Sequence, residues 1–230
     1  MTRLQLRTET LAAGDATGSQ RWTQVTTDAL LTMVHRREWA GILKANPMYR
    51  KAVITPTLTA GTFTVASLTT GSADTVANLY RIIAIGRTAD GALFAPLKFA
   101  NYPNAVIASA ANIVDQLPER LWWRTDTLIQ LTPSTLTTGQ VAVAVNTFPC
   151  LVGALSADSI AVPFVEGFEL ILAFEAAAYM LAKAGAETAG SAALKAFSGE
   201  MRRDMLSDIS RLSTEPLGLE YADSPLEWGG

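Results

Sequence analysis

The spacing of apolar residues predicts a long helix over residues 22–46. Its apolar side chains recur at intervals of three and four, as on one face of a helix: Leu30, Met33, Val34, Trp39 and Leu43. Three candidates for the N-cap precede them, namely Thr26, Thr27 and Asp28. Because Asn46 precedes Pro47, we expect the helix to end there. A shorter helix is predicted over residues 2–13, packing Leu4, Leu6 and Leu11.

Over residues 51–150 the sequence pattern differs: short runs of β-branched and aromatic residues are separated by turn residues. The predicted strands lie at 62–68, 79–85, 93–99, 122–124, 128–131 and 141–145. A turn at 89–91 predicts a hairpin between the second and third of these. Large and small residues alternate over 141–145, as in a half-buried strand. Roughly six or seven such strands indicate a small antiparallel sandwich or barrel, interrupted by a loop at 101–117.

Residues 160–212 return to helical spacing, with a break at 185–190. A helix over 164–182 is apolar around nearly its whole circumference, which predicts burial on most sides. Its apolar residues are Phe164, Phe168, Leu170, Ile171, Leu172, Phe174, Ala177, Tyr179, Leu181 and Ala182. The next helix carries a narrower stripe, formed by Leu194, Phe197, Met201, Met205, Ile209 and Leu212.

The last segment, residues 213–230, contains prolines that prevent a continuous helix. It nevertheless keeps large apolar residues, which a solvated tail would lack. They are Leu217, Leu219, Tyr221, Leu226 and Trp228. We therefore expect an extended C-terminal arm that docks onto another surface.

Composition narrows the class of protein. The chain is 49% apolar and 17% charged, with a net charge of −3, whereas soluble domains carry about 25% charged residues. No apolar run reaches the roughly 18 residues of a membrane helix, because Glu166, Glu169 and Glu175 interrupt the most apolar stretch. The acidic balance also disfavours a protein that grips nucleic-acid phosphates. We expect a soluble protein, not a membrane protein, whose surplus apolar residues contact other subunits.

The reactive residue types are scarce. One cysteine and one histidine exclude a disulfide framework, a multi-cysteine zinc site and a histidine-rich metal cluster. We interpret His35 as structural and Cys150 as an inert buried thiol. The chain contains no glycine-rich phosphate loop, nucleophile elbow or zincin motif. These observations predict no enzymatic activity and no cofactor.

Three charged or aromatic features have structural interpretations. Glu175 stands among apolar neighbours, so we expect an arginine or lysine partner across a helix interface. The basic cluster at 35–37 and the arginine pair at 202–203 are expected to bond acids on neighbouring helices. Adjacent Trp122 and Trp123 point to opposite faces of a strand. One is therefore expected in the core and the other against a helix or a neighbouring subunit, with sugar stacking as the alternative.

The order of several motifs carries a family resemblance over most of residues 22–212. The motifs are RREW at 36–39, NPMYR at 46–50, YRIIAIG at 80–86, LPERLWW at 117–123, TDTLIQLTP at 125–133, and the alanine-rich EAAAYMLAK at 175–183 after Val162-Pro163. In this order the chain resembles the head-to-tail adaptor proteins of tailed bacteriophages, also called connector or head-completion proteins.

This resemblance implies a structural role in the virion neck, for a protein made in the host cytoplasm. About twelve copies would form a closed ring beneath the portal, joined by head-to-tail interfaces. The helix expected at those interfaces carries Phe164, Phe168, Phe174, Glu175 and Tyr179. The C-terminal arm would reach the portal, and a tail or nozzle protein would bind below. Genomic DNA would pass through the channel without sequence-specific contact.

The predicted fold is α+β, with a helical bundle from the N- and C-terminal segments. A small antiparallel β-sandwich or barrel is inserted in it, and an extended arm follows. The predicted parts are residues 1–50, 51–150, 151–212 and 213–230. One alternative is a tail-completion or tail-tube protein, which the long C-terminal helices disfavour. The other is a polysaccharide-binding module that uses Trp122 or Trp123 as a platform.

Overall fold

A computed structural model describes residues 1–18, 20–46, 49–68, 78–89, 93–99, 121–125, 127–131, 136–184 and 189–214. Over these residues the protein is a mixed α+β structure, as predicted. The helices are α1 (Arg3–Ala13), α2 (Gln24–Ala45), α3 (Leu170–Lys183) and α4 (Ala189–Thr214). The strands are β1 (Lys51–Ile54), β2 (Thr62–Thr64), β3 (Asn78–Ala89), β4 (Leu93–Pro96), β5 (Lys98–Phe99), β6 (Leu121–Thr125), β7 (Leu128–Leu131) and β8 (Val141–Phe148).

The helix α1 confirms the short N-terminal helix. Thr2 and Gln5 form a reciprocal capping box, in which each side chain accepts a backbone N–H from the other residue. Leu6 is fully buried, but Leu4 is 50% exposed, contrary to its predicted packing. The reason is geometric, since residues two apart lie about 200° apart around a helix.

The helix α2 begins earlier than its predicted caps. Thr23 is the N-cap, and its side chain accepts the backbone N–H of Thr26. The candidates Thr26, Thr27 and Asp28 are therefore wrong and lie inside the helix. Asn46 ends α2, as predicted, and its Nδ2 donates to the carbonyl of Ile209 at 3.1 Å. This bond ties the end of α2 to α4.

The strands form two four-stranded sheets that share one hydrophobic core. The first sheet has the order β1-β8-β3-β4 and is antiparallel throughout. The second has the order β2-β7-β6-β5, and its β5–β6 pair is parallel. The prediction of a purely antiparallel region is therefore wrong at this pair. The chain leaves the β3–β4 hairpin at Leu97 and adds β5 to the other sheet. The next described strand along the chain, β6, is the parallel partner of β5 in that sheet.

The strand β8 is buried along its whole length and not half-buried as predicted. Val141, Val143 and Val145 face the core shared by the two sheets. Phe148, on the opposite face, joins the cluster around Trp39 of α2. The strand therefore links the core of the sheets to that of the helices. The predicted hairpin at 89–91 is confirmed by the register of β3 and β4, and the loop at 101–117 lies outside the described residues.

The C-terminal helices differ from their predicted limits. The helix predicted over 164–182 begins only at Leu170, because a turn with Gly167 at a φ of +83° precedes it. In α4, Met205 and Ile209 are buried as predicted, whereas Phe197 is 52% exposed. Helices from both ends of the chain pack together, with α1, α2 and α4 each contacting α3. The boundaries at residues 50, 150 and 212 stay predictions.

Two glycines provide a matched test of this packing. Gly41 is an exposed residue of α2 with open space around it. Gly41→Ala is expected to raise the free energy of unfolding by about 0.5–1 kcal/mol, because alanine has the higher helix propensity. In Gly153→Ala the new Cβ would lie 2.8 Å from Oγ1 of Thr32, which now accepts the Gly153 N–H.

We expect Gly153→Ala to lower the free energy of unfolding by about 1–3 kcal/mol, since the contact must open and a hydrogen bond is lost. Urea denaturation of both variants measures the two effects. Effects of the same sign in the two variants would contradict this account of the packing.

Candidate interaction surface

Glu175 of α3 lies at the centre of an ionic network that joins three helices. Its Oε2 accepts from Arg37 of α2 at 2.7 Å. Its Oε1 accepts from Arg202 of α4 at 2.8 Å and from Ser198 at 2.6 Å. Burial opposes ionisation of Glu175, yet hydrogen bonds from these three side chains lower its pKa overall. The expectation of an arginine or lysine partner across a helix interface is confirmed.

Glu38 supplies the second carboxylate of this network. It accepts two bonds from Arg202, at 2.7 and 2.8 Å, and two from its neighbour Arg37, at 3.0 and 3.2 Å. Only 4% of its side chain is exposed. Hydrogen bonds from Arg202 to Glu38 raise the pKa of the guanidinium. Both arginines therefore stay charged and hold α2, α3 and α4 in one arrangement.

The network can be tested by neutralising its more buried carboxylate. We expect Glu38→Gln to lower the free energy of unfolding by about 3 kcal/mol, because two arginines in a partly buried site would then share the single carboxylate of Glu175. The matched control is Glu200→Gln, since Glu200 is exposed and 3.9 Å from Arg203. That variant is expected to unfold like the wild type. Equal losses in urea denaturation would show that the burial of Glu38 has no energetic consequence.

A second ionic cluster fastens α1 to α2. The carboxylate of Asp28 lies 2.6 Å from the guanidinium of Arg3 and 2.9 Å from that of Arg7. The Arg7 guanidinium also lies 2.9 Å from the carboxylate of Asp158. Sequence reasoning missed this cluster because it assigned Asp28 to a helix cap. The spacing of Arg3 and Arg7, four residues apart on one face of α1, was the signal that could have revealed it.

His35 is a fully buried part of the core. Its Nε2 lies 2.8 Å from the carbonyl of Pro163, and Nε1 of Trp39 lies 3.3 Å from the same oxygen. Both nitrogens donate to this carbonyl when the proton is on Nε2. The Nδ1 atom is buried and contacts no hydrogen-bond partner among the described residues. The structural interpretation of His35 is consistent with this buried environment.

Burial lowers the pKa of His35 from 6.5 to about 4, although the bond to Pro163 opposes the shift. The unfolded chain therefore binds the proton more tightly than the folded chain. The contribution of neutral His35 to the free energy of unfolding is therefore fully present above pH 6.5 and is lost as the pH decreases towards 4. Because His35 is the only histidine, its imidazole resonances can be followed by NMR without assignment variants. We expect a titration midpoint near pH 4 in the native protein. A native midpoint near that of the urea-unfolded chain would contradict the burial argument.

The residues predicted for a subunit interface divide between core and surface. Phe164 and Phe168 pack in the core around Trp39, and Glu175 belongs to the ionic network. Tyr179 is 42% exposed on α3. The ring of Phe174 contacts that of Phe197 at 5.5 Å. The Lys183 ammonium lies 5.7 Å from the centre of the Tyr179 ring. We use the name α3–α4 aromatic surface for the aromatic residues Phe174, Tyr179 and Phe197 of these two helices. Phe197 was not among the predicted interface residues, because its position in the apolar stripe of α4 suggested burial.

A second surface feature is a groove of about 540 Å³ between α2 and the first sheet. We call it the α2–sheet groove, and it is lined by Met33, Arg36, Arg37, Ala40, Leu79, Tyr80 and Phe148. The rings of Tyr80 and Phe148 meet at 5.0 Å, and the Arg36 guanidinium lies 5.8 Å from the centre of the Phe148 ring. The groove thus combines an aromatic floor with positive charge.

The remaining candidates have structural roles or lie outside the described residues. Trp122 packs against the core of the sheets and contacts the ring of Phe99 at 4.8 Å. Cys150 is buried. The side chain of Trp123 and the predicted docking residues lie outside the described part of the chain, and those docking residues are Leu217, Leu219, Tyr221, Leu226 and Trp228.

Neither a metal site nor a membrane-spanning helix is found among the described residues. Within the described residues, no group of three histidine, cysteine or acidic side chains is placed to hold a metal ion. None of the helices in the described part of the chain has the length and hydropathy to span a bilayer. In comparisons with protein-family models and with curated proteins, nothing matches this chain.

Proposed function

We propose that this protein is a structural component of a tailed bacteriophage, with no enzymatic activity and no cofactor. In this proposal it forms a ring that joins the capsid portal to the tail and surrounds the DNA channel. The helices form a bundle and the two sheets a sandwich inserted in it. The observation that carries the proposal is the α3–α4 aromatic surface, in which Tyr179 and Phe197 are exposed on a well-packed helical frame.

The chemistry of this surface suits contact between subunits. Aromatic residues are enriched where protein interfaces bury their central contacts, because they remove a large apolar area from water. A closed ring needs a head-to-tail contact that uses two different surfaces of each subunit. The α3–α4 aromatic surface supplies one of them. It lies on the same helices as Glu175 and Arg202, so the ionic network holds it in place before assembly.

A rigid surface favours assembly because less conformational freedom is lost on binding. Arg37 and Arg202 bond the two carboxylate oxygens of Glu175 and so hold α2 and α4 against α3. Subunits joined through α3 and α4 would therefore transmit a fixed angle from one copy to the next. Such a fixed angle is what allows a ring to close with a defined number of copies.

The proposed partners follow from the resemblance and the net charge. The C-terminal arm would bind the portal, with Leu226 and Trp228 in apolar pockets, and a tail or nozzle protein would bind the other end of the ring. With a net charge of −3, the protein is suited to a channel through which DNA slides, because clustered cations would hold its phosphates. The proposed location is the neck of the virion.

Electron microscopy of the purified protein mixed with its portal tests the proposal. We expect a ring stacked on the portal for the wild type, and unassembled subunits for Phe197→Glu, because a buried charge opposes the apolar contact. The matched control is Val53→Glu, which places the same charge on β1 at a residue 60% exposed. This variant is expected to assemble like the wild type.

Folded wild-type protein that never associates with the portal would contradict the proposal, as would normal rings formed by Phe197→Glu. Long tubes formed without the portal would instead identify a tail-tube protein. Circular dichroism of each variant shows whether a loss of assembly follows from a loss of fold.

A further inference from the structure

Of the two arginines that line the α2–sheet groove, Arg37 is paired with acidic residues and Arg36 is not, among the described residues. Among the described residues Arg36 contacts no carboxylate, and its guanidinium lies over the Phe148 ring. Lys51 and Arg81 are both register partners of Asn146 across β8. Paired residues of neighbouring strands point to the same face of a sheet, and Phe148 lies two residues further along that face. Lys51 and Arg81 are both exposed. Positive charge therefore borders an aromatic floor.

The C-terminal segment of the chain, residues 215–230, has the complementary composition. It contains four acidic residues and no lysine or arginine. The acidic residues are Glu215, Glu220, Asp223 and Glu227, and the segment also contains the aromatic residues Tyr221 and Trp228. A groove with an aromatic floor and a basic border matches both properties of this segment.

We propose that the α2–sheet groove of the free subunit holds the C-terminal segment of the same chain, with residues 221–228 in the groove. Aromatic side chains of the segment pack against Tyr80 and Phe148. Asp223 and Glu227 face the cations at its border. The occupied groove covers apolar surface that the isolated subunit otherwise exposes, including Met33 at 50% exposure.

The length of the segment fits this path. The helices α2 and α4 run side by side in the same direction, because Arg202 bonds Glu38 and Ile209 bonds Asn46 further along. At 1.5 Å per residue, α4 extends about 8 Å beyond Ile209, and Arg36 lies about 15 Å back from Asn46. Seven extended residues span roughly 23 Å. Residues 215–221 therefore cover the return, and the following residues reach the groove.

Arg50 marks the route between the end of α4 and the groove. It follows the end of α2, and its guanidinium lies 5.3 Å from the centre of the Trp39 ring. No carboxylate contacts it among the described residues, and burial lowers its pKa. On this path the carboxylate of Glu215 or Glu220 would lie beside Arg50 and neutralise its half-buried charge. The path thus brings acidic residues to each cation that lacks one.

Two other occupants are less well matched. A second copy of the chain would have to bind at its bulk concentration, whereas a tethered segment has an effective concentration in the millimolar range. A DNA duplex needs a broad basic surface that follows its phosphates, and only Arg36 and Arg37 are cations among the residues that line this groove. The groove therefore favours a tethered acidic peptide.

Photo-crosslinking of the full chain tests the inference without any portal. Benzoylphenylalanine in place of Trp228 is expected to crosslink within one chain to peptides that contain Met33, Arg36 or Tyr80. A mixture of 14N- and 15N-labelled protein distinguishes crosslinks within a chain from those between chains. Arg36→Glu is expected to lower the yield about fivefold, and Glu227→Arg is expected to restore it in the double variant. Arg203→Glu is the matched control, because Arg203 is exposed on α4 outside the groove.

Mass spectrometry of the crosslinked peptides decides between the occupants. Crosslinks between isotopically different chains, or to residues outside the groove, would overturn the inference. An unchanged yield in Arg36→Glu would do the same, and Arg81→Glu repeats the test on the sheet side should the first variant unfold. A fluorescent DNA duplex that binds the wild type and loses affinity in Arg36→Glu would assign the groove to nucleic acid instead. Failure of any of these tests leaves the proposed ring unaffected, because none of them involves assembly.

Discussion

The ionic network of Glu38 and Glu175 is the constraint on which the helical part of the protein depends. Burying two carboxylates away from water costs free energy unless charged donors form hydrogen bonds with them. Arg37 and Arg202 form these bonds from different helices. Because the bonds cross between α2, α3 and α4, the helices have one arrangement that satisfies all four charges. The relative position of every surface residue on these helices follows from that arrangement.

The helices that this network joins carry two surfaces with different chemistry. On α3 and α4, Tyr179 and Phe197 are exposed, and the Lys183 ammonium lies 5.7 Å from the centre of the Tyr179 ring. On α2, Arg37 belongs both to the network and to the lining of the α2–sheet groove. An exposed aromatic surface is suited to another subunit. A basic aromatic groove is suited to an acidic segment, so one helical frame can support assembly and hold its own C-terminal residues.

Local patterns predicted the elements whose determinants lie within a few residues of one another. The helices near 2–13 and 22–46 and the β3–β4 hairpin follow from apolar spacing and turn residues. The same patterns placed the start of α3 too early, because Phe164 and Phe168 have helical spacing although Gly167 turns the chain between them. They also assigned Asp28 to a cap, because a capping residue and a buried ion-pair partner look alike in sequence.

By itself the sequence determined the α+β class, the acidic balance, the scarcity of reactive residues and the need of Glu175 for a cationic partner. Only the tertiary structure decided which cations serve it, that β5 pairs in parallel with β6, that β8 is buried on both faces and that Phe197 is exposed. The physical reason is distance along the chain. Periodicity reports interactions within one or two turns, whereas Glu38 and Arg202 are 164 residues apart and meet only because the helices pack together.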